Sequence, residues 1–233
     1  LKEIFLFIGE IDYYLSVSKI LNNKDICFPD YIINDKPYFS FNNLWHPSLI
    51  ENKSIIKNNI TIDKKTIKNI CITGPNAGGK SVFIKSCCIS VLLAQTIGIS
   101  FSNTCSLTPF AFFDTHVNVS DKINMESLFE AQVNRFVKLL HTLDDENKFS
   151  LCILDELFNS TNFREGSALA YTLINKLIKY QNNISLITTH YEILPKLQKN
   201  TNNISNYKMN IVTENNALHY PYKLEKGIFK DKT

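Results

Sequence analysis

Hydrophobic and polar positions follow two periods along this chain, and the switches between them mark out its elements. Ile4, Ile8, Ile11 and Leu15 recur at helical spacing while Glu3, Glu10, Asp12 and Lys19 fall elsewhere, so residues 3–21 are expected to form an amphipathic helix, slightly weakened by Gly9. Residues 22–36 turn polar, with Pro29 inside and Pro37 just beyond, and read as a connector with a short strand around 31–33. Two short β runs joined by Asn58-Asn59 are expected over 54–62, then a turn at 63–65 back into a strand over 67–73. Residues 82–96 contain neither Gly nor Pro and read as a helix that Gly98 stops. Residues 107–113, with Pro109 inside, suit an edge or early-terminated strand, followed by a polar linker over 114–124. Phe129, Val133, Phe136 and Leu140 return to helical spacing, which predicts a helix over 126–141 opening near Ser127 with Asn124 as a cap.

Residues 144–148 are a solvated turn. Leu151, Cys152, Ile153 and Leu154 form the unbroken apolar run of a buried parallel strand. A helix over 165–180 follows, its apolar side supplied by Ala168, Leu169, Leu173, Ile174, Leu177 and Ile178. A strand over 184–189 then leads to a polar, Asn-rich remainder, in which strands over 209–213 and 217–224 form a hairpin through a turn at 214–216.

The chemistry gathers at the ends of the apolar runs. After the strand over 67–73 the chain reads Gly74-Pro75-Asn76-Ala77-Gly78-Gly79-Lys80-Ser81, which fits G-x-x-x-x-G-K-[ST] without a gap. Backbone N–H groups of such a loop wrap phosphate oxygens, Lys80 reaches the terminal phosphates, and Ser81 ligates magnesium. The helix that follows turns its positive N-terminus to the same phosphates. A plain glycine turn is the alternative, and the strand–loop–helix context argues against it. Asp155 and Glu156 arrive at the C-terminal end of the second apolar strand, where ligands bind in open α/β sheets. In a phosphate-loop protein Asp155 would hold magnesium with Ser81, and Glu156 would orient or deprotonate the attacking water. His190, at the tip of the strand over 184–189, is placed to touch a γ-phosphate or that water, unless it merely ends the strand. His46, before Pro47, fits a turn or packing role better than a ligating one, and Gln95 by itself reads as surface decoration.

Composition narrows the setting. With 233 residues and 44% hydrophobic content, the chain makes one or two domains with a real core. Its 25 basic and 22 acidic residues, net +3, leave no broad electrostatic footprint for nucleic acid, so DNA contact must be local or lie elsewhere. Six cysteines show no C-x-x-C pair and several sit in apolar runs, which suits a reducing compartment. No stretch of transmembrane length and no signal peptide are expected. The chain does not begin with Met and is expected to be the C-terminal piece of something longer.

Taken together, Thr73 to Ser81, Leu154-Asp155-Glu156, Glu165-Gly166 and Thr189-His190-Tyr191 resemble the C-terminal ATPase domain of the MutS family of DNA mismatch-repair proteins. Ile11-Asp12 with Leu15-Ser16, His46-Pro47, Asn58 and the segment Ala94 to Gly98 extend the likeness over nearly the whole chain. The resemblance implies an α/β fold of the ABC type, a P-loop ATPase with a central, mostly parallel sheet, an antiparallel β subdomain and an N-terminal helix from a preceding helical domain. Residues 1–22 would close that helical lever, and 23–233 would form the ATPase domain, stopping short of a Ser-Tyr-Gly element. It implies ATP and Mg2+ as ligands and head-to-tail pairing with a second such domain. It also implies DNA held by segments outside this chain, no membrane, and an intracellular setting, cytoplasmic or nuclear.

Carried over by residue, the resemblance gives Gly74, Pro75, Asn76, Ala77, Gly78, Gly79, Lys80 and Ser81 to the phosphates and Mg2+, Asp155 to the metal, Glu156 to the water and His190 to the γ-phosphate side. Gln95 matches a nucleotide-sensing Gln, and Ser127 a serine that approaches the partner's nucleotide. Adenine would lie near Ile55 and Ile56, with Tyr222 at a stacking position, though a buried Tyr in a hairpin is an equal reading. Departures are visible too: Phe158-Asn159-Ser160-Thr161 replaces Gly-Arg-Gly-Thr, Leu128-Phe129-Glu130 replaces Thr-Phe-Met, and an Arg is replaced around Asp114. This drift and the Asn/Lys/Ile-rich composition suggest a divergent, viral or organellar lineage. The competing functions are an ABC-type subunit of another DNA-processing or chromosome-structural complex, and a nucleotide-binding structural subunit that does not hydrolyse.

Overall fold

The computed structural model describes residues 1–52, 54–62, 69–117, 128–214 and 217–230. Helix α1 (Lys2–Leu21) is followed by strands β1 (Asp30–Tyr31), β2 (Phe39–Leu44), β3 (Asn58–Ile62) and β4 (Asn69–Thr73). Helix α2 (Lys80–Ile97), strands β5 (Thr104–Leu107) and β6 (Phe112–His116), helix α3 (Leu128–Leu143) and strand β7 (Ser150–Asp155) come next. Helix α4 (Phe163–Leu177) and strands β8 (Asn183–Thr188), β9 (Ile204–Met209), β10 (Val212–Glu214), β11 (Ala217–His219) and β12 (Leu224–Lys226) complete it.

The architecture is α/β with mixed sheets. Six strands run in the order β12-β9-β4-β8-β7-β6, parallel except for β12. Both faces of this sheet are covered, which is why its strands read as unbroken apolar runs. Along β4, Ile70 and Ile72 join a core shared with Phe83, Ile84, Cys87 and Val91 of α2. Cys71 points the other way, into a core with Phe136 of α3 and Ile174 of α4. A second sheet, ordered β1-β5-β2-β3, is antiparallel apart from the β1–β5 pair. Its Phe39, Phe41, Ile60 and Ile62 belong to the same core as α2, so that helix lies between two sheets.

Several elements differ from the sequence pattern. Helix α1 forms, yet Ile4, Ile8, Ile11 and Leu15 are 43% to 66% exposed. Only Val17, Ile20 and Leu21 at its end pack, against a group containing Trp45, Ile99 and Phe101. Phe5, Leu6 and Phe7 put apolar groups on its other faces, so the segment is less amphipathic than its four-residue repeat suggests. The short strand expected around 31–33 lies one residue earlier, as β1. The two runs expected over 54–62 reduce to β3 alone, and β2, whose Asn42 and Asn43 interrupt the apolar pattern, was not legible.

Pro109 splits the strand expected over 107–113 into β5 and β6, because proline supplies no ladder donor. Beyond Met209 the chain leaves the sheet, so the expected strand over 209–213 is the end of β9 plus β10. The strand over 217–224 likewise divides into β11, which pairs with β10, and β12, which pairs with β9. The turn at 63–65, the Asn124 cap and Ser127 lie outside the described residues.

Contrary to expectation, one helix among the described residues, Lys80–Ile97, is long and apolar enough to cross a membrane by length and composition. Its Phe83, Ile84, Cys87, Val91 and Ala94 are buried in the core, which accounts for the apolarity. All six cysteines are unpaired, and burial pushes the Cys71 thiol up to about 12.

Candidate functional site

Three strand ends meet where the chemistry was expected. Register sets Ile72 of β4 beside Thr188 of β8, and Thr188 beside Asp155 of β7, so the phosphate loop, the acids and His190 leave the sheet from one edge. The loop turns tightly: Gly78 N–H donates to Pro75 O at 3.1 Å, and Ala77 takes φ 60. Gly79, at φ 91, starts α2 and leaves room for Tyr222, whose Cδ1 would lie 3.0 Å from any Cβ there. Gly74 is required by contact, since a Cβ would meet Met209 O at 2.8 Å.

Lys80 is 4% exposed and donates to Gly74 O and Pro75 O, both at 3.0 Å. Its ammonium also lies 3.4 Å from Glu156 Oε1. The same oxygen is 2.6 Å from His190 Nε2, a separation that needs a proton between the two atoms, so Nε2 carries it and donates. The 3.5 Å approach of Lys80 to Nε2 is then proximity, not a hydrogen bond. Ser81 Oγ donates to Asp155 Oδ1 at 2.9 Å. A hydroxyl and a carboxylate oxygen brought together beside a phosphate loop suit Mg2+, a hard cation that takes one or two carboxylates and fills its shell from phosphate and water. Ser81 and Asp155 are the residues that could hold it.

A cavity of about 530 Å3 opens over the loop. Asn76 to Ser81 and Glu156 form one side, and Leu44, Leu49, Ile56 and Tyr222 supply an apolar part. Tyr222 is 43% exposed and sits in the link before β12, so the buried-hairpin reading is corrected. Asn58 places it: Nδ2 donates to Tyr222 O at 3.0 Å, and Oδ1 accepts from Leu224 N at 2.8 Å. Ile55, expected beside Ile56, instead packs with the Trp45 group.

Gln95 is also placed differently. It lies fifteen residues along α2 from Lys80, roughly 22 Å at the helical rise. Its amide is spent on Phe110, donating to O and accepting from N, both at 2.8 Å. It clamps the β5–β6 connection to α2 and lines no part of the cavity. His46, set aside from the sequence, does line it. Two donors of Ser48, N–H at 3.2 Å and Oγ at 2.7 Å, converge on His46 Nδ1, so that nitrogen accepts and the ring proton sits on Nε2. Thr188 was also missed, because a threonine inside an apolar strand carries no signal of its own.

A family model, MutS domain V, matches residues 70–233. The chain belongs to the MutS family. Among its relatives, the endonuclease MutS2 of Clostridium novyi is 27% identical over 94% of this chain and 27% of its own length. The DNA mismatch repair protein MutS of Flavobacterium psychrophilum is 29% identical over 94% of this chain and 26% of its own. The DNA mismatch repair protein MSH3 of Saccharomyces cerevisiae is 29% identical over 98% and 23%. The chain thus spans about a quarter of the length of these curated relatives.

Departures from the MutS pattern now have physical content. Phe158 stands at the first glycine of Gly-Arg-Gly-Thr and takes φ 61, a left-handed conformation that costs a bulky residue roughly 1–2 kcal/mol. Its fully buried ring packs against Phe129 and Phe136, and its N–H donates to Gln132 Oε1 at 3.1 Å. Burying a phenylalanine ring contributes roughly 1.5–3 kcal/mol, which offsets the strain. Asp114, where the pattern has an Arg nearby, accepts from Arg135 Nη2 of α3 at 3.1 Å. Burial pulls the Asp114 carboxyl upward, but contacts with His116 and Arg135 outweigh it and hold the group below the usual carboxylate range.

Proposed function

We propose that this chain binds and hydrolyses ATP with Mg2+, as an ABC-type P-loop ATPase domain. In this reading it is part of a MutS-like protein that recognises mismatched or branched DNA. Residues 1–22 close a helical lever, 23–233 form the ATPase domain, and DNA is held by segments outside this chain in an intracellular setting. The observation that carries the reading is the Ser81–Asp155 hydrogen bond of 2.9 Å beside the phosphate loop, with Glu156 next in sequence.

In this reading the loop N–H groups and Lys80 hold the phosphates, and Ser81 and Asp155 hold the cation. Bound Mg2+ supplies charge neutralisation to the phosphate oxygens. Glu156 orients the attacking water and accepts its proton, while His190 fixes the Glu156 carboxylate and faces the γ-phosphate side. The apolar end of the cavity takes the adenine near Ile56, with Tyr222 stacked on it. Asn76, exposed at the loop tip, and Ser127 in trans serve a site completed by a second MutS-like domain.

The test is ATP turnover by the purified chain across a range of protein concentration, with and without DNA. Turnover per chain that rises with concentration, and is unaffected by DNA, is the expected result. Turnover per chain that stays constant well below micromolar concentration would overturn the shared site. Absence of ATP binding would overturn the reading as a whole.

A further inference from the structure

Thr188 ends β8 between the phosphate-loop strand and the acidic strand, and it is 1% exposed. Its partners fix the direction of its hydroxyl. The Glu156 N–H, 3.1 Å away, can only donate to Oγ1, so the hydroxyl proton goes to Asp155 Oδ1 at 2.5 Å. The Thr188 carbonyl accepts from the same Glu156 N–H at 3.2 Å. Glu156 needs that support because it sits at φ 50, a left-handed conformation that is unfavourable outside glycine.

One side chain therefore touches the side chain of the metal-side acid and the backbone of the water-side acid. Asp155 Oδ1 receives two hydroxyls, from Thr188 and Ser81. Ser81 is itself expected to turn its oxygen to a cation, which leaves Thr188 as the hydroxyl that keeps the Asp155 carboxylate from rotating.

We propose that Thr188 is a positioning residue that sets the metal requirement of this site, holding Asp155 for the cation and Glu156 for the water. The inference rests on the ATPase reading above. Partners that orient a ligating carboxylate typically change metal affinity or activity about 10–100-fold when removed. A buried threonine that merely satisfies a strand end would change stability instead.

The test compares the 233-residue chain with Thr188→Val, which keeps the shape, and Thr188→Ser, which keeps the hydroxyl. Mn2+ binding is read by electron paramagnetic resonance with a non-hydrolysable ATP analogue, alongside metal-free analogue binding, the Mg2+ dependence of turnover and the unfolding midpoint. Thr188→Val is expected to raise half-saturating Mn2+ and Mg2+ by about 10–100-fold while metal-free binding stays as in the wild type, and Thr188→Ser is expected to restore the wild-type requirement. Should the valine variant not fold, Thr188→Ala carries the same comparison. A folded variant without the hydroxyl and with wild-type Mn2+ binding would overturn the proposal, as would equal losses in the valine and serine variants. A wild-type chain that binds no ATP would instead bring down the ATPase reading, and this inference with it.

Discussion

Glu156 and His190 form a hydrogen bond of 2.6 Å, and the same Glu156 oxygen lies 3.4 Å from Lys80 Nζ. In the proposed reading the acid given to the water is held by the lysine given to the phosphate, so a bound γ-phosphate competes with Glu156 for the Lys80 ammonium. Glu156→Gln keeps the size of the side chain and removes the charge that retains Lys80. ATP should bind the variant at least as tightly as the wild type, while turnover falls about 10²–10⁴-fold, the usual worth of a positioned general base. Labelled-ATP anisotropy and single-turnover assays check both halves. A variant within tenfold of wild-type turnover would remove Glu156 from the proton-accepting role.

Lys80 makes its contacts from a nearly closed position, donating to two loop carbonyls at 3.0 Å. An ammonium held this rigidly is already paid for in side-chain entropy before phosphate arrives. The two carbonyls leave one of the three ammonium donors for phosphate, and a hydrogen bond to a charged group contributes roughly 1.5–3 kcal/mol, so losing it should weaken ATP binding by about ten- to a hundredfold. Lys80→Ala is expected to show that loss in equilibrium binding. Unchanged affinity would mean that the lysine serves the loop and not the ligand.

Gly166 of α4 faces Tyr191 Oη and Phe158 O so closely that a Cβ would lie 2.5 Å and 2.6 Å from them. The tyrosine hydroxyl cannot move aside freely, because it donates to Phe158 O at 2.7 Å. Gly166→Ala should therefore cost about 1–3 kcal/mol, as overpacking typically does, despite the better helix propensity of alanine. Urea denaturation of the variant measures it. A neutral or stabilising effect would show that the segment 156–166 yields easily.

How much of this was legible follows from where each signal lives. That the loop, Asp155, Glu156 and His190 converge at one sheet edge could be read, because each follows an apolar run that forms a parallel strand. The central sheet was readable for the same reason: runs such as 151–154 are apolar on both faces. The misreadings share a cause in tertiary context. Gln95 has the right neighbours in sequence for a nucleotide role, but its amide meets the Phe110 backbone, a contact no spacing announces. Ile55 and Ile56 are equivalent as letters, and only the fold turns one to the cavity and the other to Trp45. Thr188 is informative only because β8 lies between β4 and β7, an order that local pattern does not encode.

His46 offers a prediction with a definite sign. Burial first, and the charge of Lys85 second, hold its imidazole below the ordinary 6.5. The unfolded chain therefore takes up this proton at a higher pH than the folded chain does. Stability contributed by neutral His46 is complete above 6.5 and is lost as pH falls through the lower folded value, since the unfolded state binds more protons across that interval. His46→Asn keeps an acceptor for the Ser48 N–H that caps the turn at Pro47–Leu49 and removes the titration. Every other residue is common to the two proteins, so the difference between them isolates residue 46. Urea midpoints at about pH 7.5 and about pH 5.5 should show the wild type losing more stability on acidification than the variant. Equal losses would place the His46 ring in solvent, away from the cavity wall.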